Sequence, residues 1–326
     1  MNSRKTAGAI LGTLGGLTAL TAASAEIFYN FAINTKSPIH MSKLNNLVQK
    51  ATNTSADEEE ASAKYSGMTG TPEIKKWYAD EGEDVYINSD SLRLHGKRFK
   101  NSGSDYALVC HGYTSKAKHM AGFVKKFYDR GFNVLAVDAR AHGDSEGRYT
   151  GMGWLDRLDL LDWIDALNRR FNSPEIILMG VSMGGATVIN ALGEALPGNV
   201  VCAIEDCGYV SLRDEMKWQL KRYYHLPAAL FLHLSALPCR LLAGYSPLRD
   251  GDGEAALRRC TLPLLMIHGG ADDFVPLGML ERAYAVAGGA KARLVVAGAA
   301  HAESVLVDPD AYWRAVDAFI ARHAHF

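Results

Sequence analysis

From about residue 84 onward, short apolar runs alternate with stretches of helical spacing. Residues 84–88 (Asp-Val-Tyr-Ile-Asn) and 92–96 (Leu-Arg-Leu-His-Gly) predict a first hairpin that turns at Ser89-Asp90. Further on, residues 106–110, 132–138, 175–181, 200–205, 262–268 and 292–297 are runs of the kind expected for strands covered on both faces. Between them the spacing predicts helices over 117–130, with Gly131 as a cap, and over 152–171, 183 to about 195, 277–286 and 309–322. This alternation implies an α/β fold, a mostly parallel, doubly wound sheet with helices on both faces. It breaks between about 206 and 260, where Trp218, Tyr223, Tyr224, Phe231 and several leucines recur at helical spacing. That stretch predicts a helical cap inserted over the site, because ligands in such sheets lie at the carboxyl ends of the strands. The aromatic and leucine residues of the cap suit an apolar acyl pocket, and they equally suit the packing of cap helices on one another.

The first 71 residues follow a different pattern. Arg4 and Lys5 precede an uncharged stretch over 6–25, which is long enough to cross a bilayer but carries Gly and Thr. Ala23-Ser24-Ala25 has the form of a signal-peptidase site. Residues 1–33 therefore read either as an uncleaved membrane anchor, extended through 27–33 with aromatic residues at the interface, or as a cleaved secretory signal. A buried helix of a cytosolic protein is the third reading. The charge before the segment would hold the N-terminus inside and leave the rest outside, which places the protein at the cell membrane, or secreted if the segment is cleaved. Residues 34–71 are polar, include Asp57-Glu58-Glu59-Glu60, and read as a linker in which 41–64 could form a surface helix. The folded domain is expected over 72–326, with the cap at about 206–260.

Composition narrows the picture. The 326 residues are 48% hydrophobic and 22% charged, with a formal net charge of −1. This is an ordinary globular composition, and with no basic cluster it gives no reason to expect nucleic acid as a partner. The five cysteines fit no metal spacing. Cys110 and Cys202 lie in strand-like runs as small core residues; a Cys207–Cys239 or Cys239–Cys260 disulfide remains open. Gly12, Gly15 and Gly16 follow no strand, so they form no phosphate loop, and with no metal or nucleotide motif no cofactor is expected.

The chemistry concentrates around Gly180-Val181-Ser182-Met183-Gly184. An apolar run ends there in G-x-S-x-G and a helical stretch follows, the arrangement of a nucleophile elbow. The turn is sharp enough that side chains at 180 and 184 would collide with neighbouring segments, and the helix aims its first N–H groups where an oxyanion would form. Such an elbow calls for an acid and then a histidine further along the chain. Asp272 follows the strand that ends at His268-Gly269, and His301 follows the strand that ends at Ala297. His301 would take the proton of Ser182, and a buried carboxylate would hold its imidazole in the right tautomer. Asp272 is preferred to Asp273, which is expected to cap the turn or face solvent. His268 reads as a structural histidine. The oxyanion hole is expected from the N–H of Met183 and one N–H of the loop 110–114, with Tyr113 favoured and Thr114 the alternative.

Together these residues resemble the α/β-hydrolase superfamily over about 72–326. The loop His111-Gly112, the segment 138–147 (Asp-Ala-Arg-Ala-His-Gly-Asp-Ser-Glu-Gly), the elbow, His268-Gly269 with Asp272, and His301 fall in the order of that family. The chain looks most similar to bacterial membrane-anchored or exported hydrolases of the serine aminopeptidase-like and lysophospholipase-like kind, whose acid turn resembles 271–276 and whose histidine loop resembles 300–304. By that resemblance Ser182 is the nucleophile, Asp272 the acid and His301 the base. Two departures concern loop geometry: Ala141 stands where the family has glycine, and alanines flank His301. The expected activity is serine hydrolysis of a small-molecule ester, with an amide or peptide substrate, acyl transfer to another acceptor, or a silent binding module as the other readings.

Overall fold

The computed structural model describes residue 26, residues 29–41, residue 43 and residues 66–324. Most of the apolar N-terminal run and of the polar stretch after it, including nearly all of the surface helix expected over 41–64, lies outside the described residues.

Eight strands form one sheet in the order β1-β2-β4-β3-β5-β6-β7-β8. They are β1 (Glu83–Ser89), β2 (Leu92–Phe99), β3 (Tyr106–Cys110), β4 (Asn133–Val137), β5 (Ile176–Val181), β6 (Val200–Asp206), β7 (Leu264–Gly269) and β8 (Lys291–Val296). The β1–β2 and β2–β4 pairs are antiparallel and the rest are parallel. This is the α/β-hydrolase fold. Successive residues of β3, β5 and β7 alternate between two buried clusters. Leu108, Leu178 and Met266 meet the helices Asp156–Phe171, Met183–Ala191 and Gly278–Val286 on one face. Val109, Met179 and Ile267 meet Ala121–Tyr128 and Pro309–His323 on the other. Period-two alternation thus feeds two cores, which is why these strands read as unbroken apolar runs.

The boundaries differ from the sequence reading where polar side chains intervene. The hairpin turns at Asp90–Ser91, with φ of +44° and +63°, one residue later than expected. Ser89 stays in the strand because its buried hydroxyl donates to Asp159 (2.6 Å). The helix expected from 152 begins at Asp156, since Met152 and Gly153 are left-handed and Asp156 accepts a hydrogen bond from the Gly153 N–H (2.7 Å). After β6 the chain forms the helices Leu212–Arg222 and Ala228–Pro238, a π-helical turn Cys239–Ala243, and the helix Gly253–Arg259.

The N-terminal side brings a further difference. Tyr29 and Ile33 are buried within the main core cluster, Asn34 bridges to Tyr149, and His40 is buried. Residues 29–41 thus form a strap on the hydrolase domain, although the sequence pattern assigns them partly to a membrane segment and partly to a linker. Apolar residues at 29 and 33 suit a protein core as well as a bilayer, so pattern alone does not choose the solvent. No helix among the described residues is long and apolar enough to cross a membrane. The five cysteines are free and buried, so neither disulfide left open by their spacing is formed.

Glycines at the crossing of β3, β5 and the helix Met183–Ala191 let these segments touch. A Cβ at Gly184 would stand 2.2 Å from the Cys110 carbonyl oxygen, whereas one at Gly198 would meet nothing within 4 Å. Gly184→Ala is expected to cost about 3 kcal/mol or more, and Gly198→Ala to stay within about 0.5 kcal/mol of the parent, as measured by urea unfolding.

Candidate active site

Ser182 sits between β5 and the helix Met183–Ala191 with φ +57° and ψ −116°, a strained conformation for a non-glycine residue. The elbow is held in place by close contacts. A Cβ at Gly180 would stand 2.1 Å from the Gly184 carbonyl oxygen, and the Ser182 N–H donates to the Asp206 carbonyl (2.8 Å). Strain at one residue is thereby sustained by a main-chain bond and by crowding on both sides.

His301 reaches the elbow from the loop after β8. Its Nε2 lies 2.9 Å from Ser182 Oγ and its Nδ1 lies 2.8 Å from Asp272 Oδ2. The His301 loop comes this close because Gly269 has no side chain; a Cβ there would stand 2.3 Å from the Ala299 carbonyl oxygen. The Phe274 ring packs against the imidazole at 4.8 Å between centroids. The structure therefore brings Ser182, His301 and Asp272 into one hydrogen-bonded chain.

Asp272 has two tasks. While Oδ2 faces His301, Oδ1 accepts the N–H groups of Phe274 and Val275, both at 2.9 Å. The turn is thus capped by Asp272 itself. Asp273, for which capping or solvent exposure is expected, points outward and accepts from Tyr223 (3.2 Å) and Arg222 (3.3 Å) of the cap. Burial pushes the Asp272 carboxyl up, but His268 and His301 outweigh it and hold the group at about 2. His268 is fully buried, with Nε2 2.9 Å from the Val275 carbonyl oxygen and 3.4 Å from Asp272 Oδ2. This structural histidine therefore positions the acid turn.

The loop 111–114 is set by two histidines whose burial lowers their pKa, His111 to about 3, so that both are neutral. His111 Nδ1 donates to the Gly112 carbonyl (2.7 Å) and its Nε2 accepts from the Ala139 N–H (3.0 Å). His142 Nδ1 donates to the Arg140 carbonyl (2.9 Å) and its Nε2 accepts from the Thr114 N–H (3.3 Å). The Thr114 N–H is thus occupied, whereas the Tyr113 N–H has no hydrogen bond among the described residues. Met183 opens its helix, so its N–H has no helical carbonyl to bond. A Cβ on Gly112 would lie 3.3 Å from the Ser182 Cβ, which shows how closely this loop approaches the serine. Ala141, at the position where the resembling family has glycine, adopts φ +61°. The backbone there keeps the glycine-like conformation despite the substitution.

Three features of the site have no clear signal in the sequence. The first is the strap: the Tyr113 hydroxyl donates to the Ala32 carbonyl (2.7 Å) and lies 3.2 Å from His40 Nε2. The second is Cys207, whose Sγ lies within 4.8 Å of atoms of both Asp272 and His301, and whose thiol burial pushes well above its ordinary value. The third is a set of buried carboxyls at the end of β6. Burial pushes Glu205 up to about 8 and Asp206 up to about 6. Two adjacent acids ending an apolar strand are the one mark they leave in the sequence, and an elbow calls for a single acid further along the chain.

A cavity of about 290 Å³ opens over Ser182 and Met183. Its walls come from the strap (Phe31, Met41), the cap (Met216, Tyr223, Tyr224) and the acid turn (Phe274). Of the aromatic residues singled out in the cap, Tyr223 and Tyr224 line it. Trp218 instead donates to the Asp273 carbonyl (2.8 Å), tying the cap to the acid turn, and Phe231 packs on the core.

Comparison with known proteins agrees with this architecture. A family model described as serine aminopeptidase, S33, matches residues 105–241. The Bacillus subtilis protein YqkD is 28% identical over 214 residues, which cover 65% of this chain and 70% of that protein. The Escherichia coli K12 protein YfhR is 26% identical over 259 residues, covering 76% and 77% respectively. Among solved structures, the Pyrococcus furiosus esterase Pf2001 superposes with a TM-score of 0.62 at 26% identity, covering 78% of this chain and 95% of that one. The chain is a member of the α/β-hydrolase superfamily. Within it, this is a serine-type hydrolase.

The raised carboxyls give a testable pH dependence. Their folded pKa values lie above those of an unfolded chain, so their contribution to stability is complete below about pH 4 and is lost as pH rises through about 6 and 8. The melting temperature is expected to fall between about pH 5 and pH 9. Glu205→Gln should flatten that decline in a series of thermal melts.

Proposed function

We propose that the protein hydrolyses carboxylic esters of small or medium acyl groups through an acyl-enzyme on Ser182. The observation that carries this reading is the chain from Ser182 Oγ through His301 to Asp272, at 2.9 and 2.8 Å, on the floor of an apolar cavity. Ser182 Oγ attacks the ester carbonyl carbon and its proton passes to His301 Nε2. Asp272, held ionised, stabilises the imidazolium and fixes its orientation. The N–H groups of Tyr113 and Met183 donate to the oxyanion of the tetrahedral intermediate. Collapse expels the alcohol, which takes the proton from His301. Water then repeats the sequence on the acyl-enzyme, releasing the acid and restoring Ser182. The esterase Pf2001 supports the ester reading, while the serine aminopeptidase family model supports peptide or amide hydrolysis by the same machinery.

A fluorophosphonate probe is expected to label the wild type and leave Ser182→Ala unlabelled. That substitution should lower kcat on p-nitrophenyl esters by about 10⁴- to 10⁶-fold. Equal labelling of the two proteins would sink the proposal. Faster turnover of aminoacyl anilides than of matched esters would move the assignment to the peptidase reading.

For localisation, we propose that residues 6–25, which lie outside the described residues, anchor the catalytic domain at the outer face of the cell membrane. The full chain is then expected to stay in the membrane pellet after alkaline carbonate extraction. Recovery of a soluble chain beginning at residue 26 would instead establish cleavage.

A further inference from the structure

The strap sets two half-buried side chains, Phe31 and Met41, into the wall of the cavity over Ser182. Its backbone is fastened beside them. The Thr150 N–H donates to the Ile33 carbonyl (3.0 Å), the Thr35 N–H to the Arg148 carbonyl (2.9 Å), and the Tyr113 hydroxyl to the Ala32 carbonyl (2.7 Å). Residues 29–32 are helical, and the Ile33 N–H donates to the Tyr29 carbonyl (2.9 Å). Positions 29 and 33 therefore share one face of the turn, and position 31 stands on the opposite one. The turn that buries Tyr29 and Ile33 in the core aims Phe31 the other way, at the cavity.

The cap residue Tyr224 meets both strap side chains. Its ring stands edge-on to Phe31 at 5.6 Å between centroids, and its hydroxyl donates to the Met41 sulfur (3.8 Å). Strap and cap thus join in a seam of Phe31, Tyr224 and Met41, and all three residues line the cavity. At about 290 Å³ that cavity is small, since ligand pockets span about 300–1,000 Å³. One wall side chain the size of phenylalanine is a large share of such a space. Met152, Met183 and Met216 line it as well, and their unbranched thioether chains mould readily around an unbranched alkyl chain.

We propose that the strap, through Phe31 and Met41, sets the upper length of the straight-chain acyl group that this hydrolase accepts. This rests on the ester-hydrolase reading above and assigns its chain-length limit to the strap and not to the cap alone. Each methylene that fits within the walls leaves water, which favours the longer ester by about fourfold. A chain that outgrows the space has to displace Phe31 or Met41 from the Tyr224 seam, or leave its end in water, and the gain stops there.

The test measures kcat/KM of the full chain on p-nitrophenyl esters of straight acyl chains from acetate to dodecanoate. The wild type is expected to rise by about fourfold per methylene to a maximum and then to fall. Phe31→Ala and Met41→Ala should each move the maximum to longer chains. The ratio of kcat/KM for an ester just beyond the wild-type maximum to that for acetate should rise by about 10- to 100-fold. Phe31→Trp should move the maximum to shorter chains. A ratio taken on one preparation cancels any loss of folded protein, and Phe31→Leu supplies a milder truncation if the alanine variant does not fold. Leu241→Ala, at an exposed cap residue outside the cavity, should leave the profile as it is. A maximum that stays in place in the strap variants would overturn the proposal, as would the same shift in Leu241→Ala. A shift seen only with alkyl acetates of growing alcohol length would also overturn it and give the cavity to the alcohol. Turnover with an unshifted profile refutes this assignment alone. Inertness toward every ester, with no fluorophosphonate labelling, refutes the hydrolase reading on which it rests.

Discussion

The structure depends on one close crossing, where the backbone between β5 and its helix passes the end of β3 with no side chain between them. The Gly184 Cα lies where an added carbon would be 2.2 Å from the Cys110 carbonyl oxygen, and Gly180 is equally confined by the carbonyl of Gly184. This crowding keeps Ser182 at φ +57°. It also brings the Gly112 loop within contact of the serine, and the Asp206 carbonyl onto the Ser182 N–H. A strained serine needs such surroundings, because strain of about 1–3 kcal/mol relaxes wherever the neighbours allow it.

Around the elbow the electrostatics are arranged by burial more than by charge pairing. Four carboxyls, Glu205, Asp206, Glu215 and Asp272, are buried near one another. Only Asp272 is pulled below the ordinary carboxylate range, because His268 and His301 both face it. The other three are pushed up by desolvation. At neutral pH Glu205 and Glu215, both pushed up to about 8, hold their protons, while Asp272 and, for the most part, Asp206 at about 6 are ionised. Several like charges sharing a dry site could not all ionise. Protonation of Glu205 and Glu215 thus limits how many charges the site carries.

Much of this was legible in the sequence because local rules govern it. Runs covered on both faces mark the parallel strands, glycines at 180 and 184 mark the crossing, and Asp272 and His301 each follow a strand end. The hairpin shifted by one residue because Ser89 prefers a buried hydrogen bond to a place in the turn. Other features depend on contacts between distant segments and leave no local trace. Tyr29 and Ile33 carry the same apolar pattern whether they face lipid or protein, and only the partner surface around Tyr149 decides. The burial of Glu215 follows from how the cap helix lies on the acid turn, which periodicity does not encode. The double use of Asp272, with one oxygen capping its turn and the other facing His301, explains why Asp273 is free to bind the cap.

The strap has a consequence for how the molecule matures and how it fails. Ser182 and His301 are 119 residues apart, and Tyr113 and Ala32 are 81 apart. A site closed by such distant segments belongs to the late, non-local part of folding. A chain with its helices and central strands already formed, but with the strap or the His301 loop undocked, would have native-like backbone structure and an open, misaligned site. Loss of catalysis should therefore precede loss of helical signal when the protein is gently destabilised. The activity of this chain then reports on the docking of the strap and the His301 loop rather than on the integrity of its sheet.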